Sequence, residues 1–508
     1  MIYKGRSKLS LIYIIAISSA IEALFSATLV EAHAFGQFIA LPLPLYLYYV
    51  GAGLAILVTF IIAAIVIKET PPIYYQATHR DFSVTQEILL KASKSPIIKL
   101  VSIITFITVI LIGFLGPQNP VENLATLTLW IIIWIGLVYV QVIAGDVWNI
   151  VNPWKGIFEL IYRNIHPKPL QKYPSKLERW PGFFMLLFFI WFELVYPHPE
   201  TPFNASTFLA IYTILMFLGM RMFGLWTWLR CCDFLSIYFH YLSLLSPIGI
   251  RVVNWHHCRA CEYGCGLWDQ CVDCPKCTST IGGSEGRMVI RIPGGGVISR
   301  RSLGISDIAF VILMLAGISF DGLSRTTIYY AFIGYEPFPP PSRDELIIPN
   351  TIGLVITFTL FLSIYILIMA FSYILSDKRY RFSFYISRFI LSLIPIAVVY
   401  NMAHYMDYFW INLQLFIKQI SDPLGYGWNI FGTATIPINT SIDIQLLWHI
   451  QVFIIVLGHI ISIFAAHIVA LLEFRDTSIA IRSQYPVALL MIGYTVFGLW
   501  LLSTPRGV

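Results

Sequence analysis

FLSIYFHYLSLLSPIGIRVVNWHHCRACEYGCGLWDQCVDCPKC, residues 234–277, is the stretch whose reading decides how this chain is folded. Residues 234–250 are an apolar run interrupted by Pro247, and the remainder crowds six of the eight cysteines, with His256 and His257, into the segment 256–277. Whether the apolar run crosses a bilayer fixes the side on which the cysteines lie. A full crossing would send the basic segment 251–301 outside, against the retention of Lys and Arg on the cytoplasmic side of short loops. The run is therefore read as a re-entrant or interfacial element, and the cysteines as cytoplasmic.

Outward from this stretch the chain is lipid-soluble almost throughout. With 57% hydrophobic and 12% charged residues over 508 positions, it is too apolar for a soluble multidomain enzyme. Stretches long enough to cross roughly 30 Å of hydrocarbon fall near 9–31, 41–67, 97–116, 127–145, 181–197, 206–228, 304–323, 350–376, 388–411, 446–473 and 486–503. The expected fold is an all-α integral membrane helical bundle of 10–11 transmembrane helices with a small Cys-rich cytoplasmic module. With the N-terminus inside, the outer loops receive only Arg325, Arg343, Lys418 and Arg506 of the 33 Lys and Arg, and Arg221 falls within a span. The net charge of +6 thus reflects orientation in the cell (plasma) membrane and not nucleic-acid binding. The partner read from the sequence is the lipid bilayer; partner subunits are not legible. The two N-x-S/T sequons, at Asn204 and Asn439, both fall in outer loops.

The domain plan follows. Residues 1–32 are a signal peptide or a first transmembrane helix, and cleavage would leave His33 as an N-terminal residue able to chelate copper through its amine and imidazole. Residues 33–230 carry helices 2–6, and 231–303 the re-entrant segment and the cysteine module. Residues 304–508 carry helices 7–11 with an external loop at 412–445, whose Pro-Leu-Gly-Tyr-Gly-Trp core reads as an ordered cap. SVTQEILLKASK, 83–94, reads as a surface helix. Trp148, Trp154, Ile157, Phe158 and Ile161 stand near helical spacing, as in an amphipathic helix lying on the inner leaflet.

Patches across the chain resemble a known family. They are EAHAFGQFIALPLPLYLYYVGAG (31–53), GDVWNIVNPWKGIFELIYR (145–163), FDGLSRT (320–326), DPLGYGWNIFGTA (422–434) and SQYPVALLMIGYTVFGLW (483–500). Together they resemble prokaryotic multi-span membrane proteins, some of which carry the name fenitrothion hydrolase. The resemblance implies a polytopic architecture and, through that name, a hydrolase. It supplies no catalytic residue set.

The cysteines run Cys258-x2-Cys261-x3-Cys265-x5-Cys271-x2-Cys274-x2-Cys277, after His256 and His257. In a reducing compartment closely spaced cysteines point to metal before disulfides. Cys258, Cys261, Cys271 and Cys274 would complete one tetrahedral zinc site, and six bridging thiolates could hold two ions. The last triplet also matches the first three cysteines of a ferredoxin run, so an iron-sulfur cluster is the alternative, with its fourth ligand from the first triplet. Next, RMVIRIPGGGVIS, 287–299, reads as a hairpin.

Ionisable residues within apolar spans are functional candidates by default. Glu193 and Asp321 end the fifth and seventh spans on the outer side, while Asn401, His404 and Asp407 recur every third residue on the ninth. The tenth carries His449, His459 and His467, of which the first and last stand about 27 Å apart and cannot share a metal. A mixed site of His33, Glu193, Asp321, His404, Asp407 and His449 would suit a second metal at the outer face or a proton relay.

Three functions follow. One is a redox membrane metalloprotein in which a cytoplasmic cysteine-bound cluster passes electrons toward the outer site. Another is a transporter or non-catalytic component with structural zinc, and the last a metal-dependent hydrolase using metal-bound water. No nucleotide-binding loop, G-x-S-x-G or H-E-x-x-H is present.

Overall fold

The computed structural model describes residues 43–68, 95–163, 165, 167–252, 266–267, 270–271, 286–298, 303–376, 380–441, 443–474 and 476–504, all within the compact unit Leu41–Val508. Among the described residues nine helices are long and apolar enough to cross a membrane. They are α1 (Leu45–Val66), α2 (Pro96–Leu115), α3 (Leu124–Ala144), α6 (Pro202–Phe223), α9 (Ile305–Ser324), α10 (Arg343–Leu375), α11 (Phe382–His404), α13 (Ile444–Glu473) and α14 (Thr477–Ser503). Between them lie the surface helix α4 (Pro153–Ile161), the 15-residue apolar α5 (Trp180–Leu194), the short α7 (Leu225–Cys231) and α8 (Phe234–Ser243), and α12 (Met406–Ile420). Ten of the eleven expected spans therefore appear as apolar helices. The segment 9–31 lies outside the described residues, as do 83–94 and His33.

Capping chemistry sets several helix ends. Ser95 accepts from Ile98 N ahead of Pro96, and Asp443 accepts from the backbone of Gln445 and Leu446. Gly145 and Gly224 end α3 and α6 at φ 86° and 87°, a left-handed turn that a side chain would strain.

Cross-links between helix termini show that successive spans alternate in direction. At one end, His404 closing α11 meets Asp321 near the close of α9, and Tyr49 near the start of α1 meets Ser503 at the end of α14. At the opposite end Arg179, before α5, pairs with Asp307 at the start of α9, and Arg388 in α11 pairs with Glu473 at the end of α13. This second end also carries Lys99, Lys155 and Arg230, and is the basic end below. Arg221 lies in the last turn of α6 at that end, donating to Lys168 O at 3.2 Å, so it is not buried in mid-span.

Helix α9 is the central column. Of its most apolar window 94% is buried, against 22% for α1 and for α10, whose apolar faces point outward as expected for lipid contact. Packing elsewhere depends on small residues: a methyl at Gly458 of α13 would stand 2.3 Å from Val399 of α11, so these two helices approach only because that side chain is missing.

The segment after α6 returns to the end it left. Arg230 O, in α7, accepts from Arg179 Nε at 3.1 Å, and His240, in α8, lies 3.7 Å from Asp146 just beyond α3. Helix α8 has 10 residues, about 15 Å, too short to cross. Every one of its residues except the half-buried Ser236 is buried, and at its N-terminus Asp233 accepts from Leu235 N at 3.2 Å. The same carboxylate accepts from the hydroxyls of Tyr212 at 2.6 Å and Ser236 at 2.5 Å.

Two short antiparallel pairs follow. Strand β1 (Ile248–Val252) pairs with β4 (Gly286–Ile290), while β2 (Gly266–Leu267) pairs with β3 (Gln270–Cys271). The hairpin expected within 287–299 is thus corrected. Its first half pairs backward with residues 248–252, and Gly295–Ile298 turns into a short helix. The cysteine segment is an excursion whose two ends are held side by side by the β1–β4 ladder. The loop expected at 412–445 is shorter as well, because α12 occupies its first part. The Pro-Leu-Gly-Tyr-Gly-Trp turn is ordered by Asp422, which accepts from Tyr426 N at 2.9 Å and Gly427 N at 2.8 Å.

Candidate functional site

The end of the bundle opposite the basic one gathers three of the residues singled out in the sequence. Asp321 and His404 are buried, 1% and 4% exposed, with His404 Nε2 2.8 Å from Asp321 Oδ2. Arg325, one turn after Asp321, brings Nη2 to 3.1 Å from Asp321 Oδ1. Glu193, at the end of α5, accepts at Oε1 from Trp134 Nε1 at 2.8 Å and from the Tyr405 hydroxyl at 3.0 Å. That hydroxyl also adjoins the Asp321 carboxylate, so Tyr405 stands between the two acids.

Local structure explains the convergence. Trp134 sits in a nine-residue π-helical stretch, Thr128–Gly136, inside α3. Such wide turns are rare and frequent at functional sites, because they turn side chains away from the α-helical register. Arg343 Nη1 donates to the backbone oxygens of Glu193 at 3.2 Å and Tyr196 at 3.1 Å, anchoring the end of α5. Helix α11 ends at His404, and Tyr405 (φ −99°, ψ 10°) turns the chain into α12.

Beneath Glu193 lies a cavity of about 20 Å³, lined by Glu193, Asn401, Tyr405, Tyr238 and Trp134 among apolar side chains. That is room for about one water. Asn401 Oδ1 and His404 Nδ1 are buried and have no hydrogen-bond partner. Deeper in the bundle Ser319 Oγ and the Tyr494 hydroxyl are 3.0 Å apart, and Tyr494 packs near the rings of Tyr400 and His459. His459 Nδ1 is committed to Ile455 O at 2.8 Å, while its Nε2 is buried without a partner.

The other sequence candidates fall elsewhere. Asp407 is separated from Asn401 and His404 by the break at Tyr405 and lies in the first turn of α12. His449 is exposed, with Nδ1 2.6 Å from Gln445 O and Nε2 3.1 Å from the Tyr48 hydroxyl. His467 lies toward the basic end, bonded to Ile67 O at 2.8 Å and to Gln484 at 3.1 Å. His256, His257, Cys258, Cys261, Cys265, Cys274 and Cys277 lie outside the described residues, and of Cys271 the backbone alone is described. Among the described residues no three His, Cys, Asp or Glu side chains are placed to hold one metal ion.

Sequence reasoning missed Arg325, Tyr405 and Trp134. The i,i+4 spacing of Asp321 and Arg325 was a usable signal. Nothing in the sequence pointed to the other two.

At the basic end one ion pair is closed on all sides. Arg179 pairs through Nη1 with Asp307 Oδ1, which also accepts from the Tyr241 hydroxyl at 2.6 Å, and Asp307 Oδ2 accepts from Gly304 N at 3.1 Å.

No family model matches the chain, and no curated protein or solved structure matches it either.

Proposed function

We propose that this multi-pass membrane protein moves protons, coupled to passage of an ion or small solute, through the cluster of Glu193, Asp321, His404, Arg325 and Tyr405. One observation carries this reading: the half-buried Glu193 and the buried Asp321 are joined through Tyr405, while Arg325 pairs with Asp321 alone. Unpaired buried charge is strongly disfavoured, so the cluster is neutral only when one further proton resides on Glu193 or on His404. Tyr405 bridges the two acids, and the cavity under Glu193 gives that proton a way inward. The distribution of Lys and Arg supports placing this cluster at the outer face of the cell membrane and the basic end in the cytoplasm. The test is proton flux into liposomes containing the purified protein and a pH-sensitive dye, under an imposed potential. Glu193→Gln is expected to abolish the flux and His449→Ala to leave it unchanged. Equal flux in wild type and Glu193→Gln would reject the reading.

In this proposal the cysteine excursion beyond β1 is a cytoplasmic module with structural zinc on Cys258, Cys261, Cys271 and Cys274. Cys265, Cys277, His256 and His257 remain available to a second ion. The Cys271-x2-Cys274-x2-Cys277 triplet favours a second reading, an iron-sulfur cluster in a redox protein. Anaerobic purification followed by metal analysis and visible spectroscopy separates them: zinc without visible absorbance removes the electron-transfer reading. The hydrolase implied by the family resemblance would require a metal-bound water at the outer cluster, where Arg325 competes for the Asp321 carboxylate.

A further inference from the structure

At the basic end a groove of about 320 Å³ runs between the surface helix α4 and the lower half of α6. Its walls are Ile157 and Ile161 on one side and Ile214, Phe217 and Leu218 on the other, with Trp154 at its base. The two polar groups in these walls are already used. Trp154 Nε1 donates to Thr213 Oγ1 at 2.9 Å, and Thr213 Oγ1 donates to Leu209 O at 2.7 Å. The groove therefore presents carbon alone, which neither water nor a polar solute can exploit.

Basic residues adjoin the lining residues along the chain. Arg163 follows Ile161 by two residues, and Arg221 follows the lining residue Met220 directly. Lys168 is fixed nearby, because its carbonyl accepts from Arg221 Nη1 at 3.2 Å. The one carboxylate on α4, Glu159, is neutralised by Lys99 at 2.6 Å. An apolar slot whose two walls each run on into an arginine matches an amphiphile of apolar tail and anionic head.

We propose that this groove holds one acyl chain of an anionic phospholipid whose phosphate is bound by Arg163 and Arg221. Surface helix α4 thereby becomes one wall of a lipid site as well as an anchor. The proposal stands apart from the proton reading, since no residue is shared between the two sites.

Native mass spectrometry of the detergent-purified full chain, titrated with phosphatidylglycerol or with phosphatidylcholine of the same chains, tests it. Two basic side chains near a lipid surface should favour the anionic lipid by about 30-fold. Arg163→Gln with Arg221→Gln is expected to erase that preference, bringing phosphatidylglycerol down to the level of phosphatidylcholine. Leu218→Trp is expected to weaken both lipids by filling the groove; Leu218 is 55% exposed, so the change leaves the core alone, as a thermal melt would confirm. Equal binding of the two lipids by wild type would mean generic annular contact and would overturn the proposal. Selectivity at full strength in Leu218→Trp would place the headgroup site away from the groove and would overturn it too.

Discussion

Helices α5 and α9 carry an ionic cluster near each of their ends, and the two clusters follow opposite rules. At the basic end one guanidinium, Arg179, faces one carboxylate, Asp307, whose oxygens are also taken by Tyr241 and Gly304 N. At the other end Asp321 pairs with Arg325 and with an imidazole that bonds through one nitrogen and leaves the other bare, while Glu193 stands one tyrosine away and Arg343 is spent on backbone oxygens. The first arrangement is closed: adding or removing a proton there would leave a buried charge exposed to no counter-charge. In the second, Arg325 pairs with Asp321 while the Glu193 carboxylate is held by hydrogen bonds from Trp134 and Tyr405, the arrangement on which the proposed proton path rests. Burial alone does not distinguish the two clusters; the pairing of charges and the presence of bare polar atoms do.

Breaking the closed cluster should have the largest effect. Arg179→Ala strands Asp307 in the core and is expected to destabilise the protein by about 3–5 kcal/mol, read as loss of a monodisperse species and a lowered thermal midpoint in detergent. Asp321→Asn should matter less to folding, about 1–3 kcal/mol, because it deletes one charge from an imbalanced group and leaves Arg325 to neutralise Glu193. Flux should be lost with it, since the cluster then needs no extra proton. Glu193→Gln, which replaces a carboxyl by a neutral amide of the same shape, should shift stability by no more than about 1 kcal/mol while removing a carboxyl band from the infrared spectrum of the membrane-embedded protein. If Glu193→Gln destabilised as severely as Arg179→Ala, the two ends would be alike and the contrast would fail.

Much of this could be read from the chain itself. Apolar length and Lys/Arg placement gave the helices and the short, non-crossing nature of 234–243, because both depend on local composition. Glu193, Asp321 and His404 could be picked out because charge inside an apolar run is conspicuous wherever the run ends up. Their grouping was half legible. Asp407 looked equivalent to His404 at the same spacing, yet a single non-helical residue, Tyr405, puts it on a separate helix. Trp134 and Tyr405 were hidden because aromatic residues are abundant here, 15% of the chain, and carry no sign of which ones spend their polar atom on a carboxylate. The π-helical stretch that aims Trp134 is a property of packing, with no signal in TLWIIIWIG.

A third buried charge sharpens the comparison on the scale of a single group. Lys155 of α4 is 3% exposed; its Nζ donates to Asn149 O at 2.7 Å and Oδ1 at 3.0 Å and lies 5.1 Å from the centre of the Trp226 ring. Burial pushes its ammonium down to about 8, against the partly opposing pull of Glu159. A lysine whose folded-state pKa lies below its unfolded value near 10.5 holds its proton more weakly when folded. Its penalty is therefore complete below about pH 8 and is relieved as pH rises toward 10.5, because the unfolded chain binds the extra proton throughout that window. Thermal stability should accordingly gain something on the order of 1–3 kcal/mol across that window relative to a Lys155→Met variant, in which the increment is absent. A wild type that tracked the Met variant at every pH would mean that Asn149 and the ring compensate the charge fully, which would group Lys155 with the closed cluster and not with the open one.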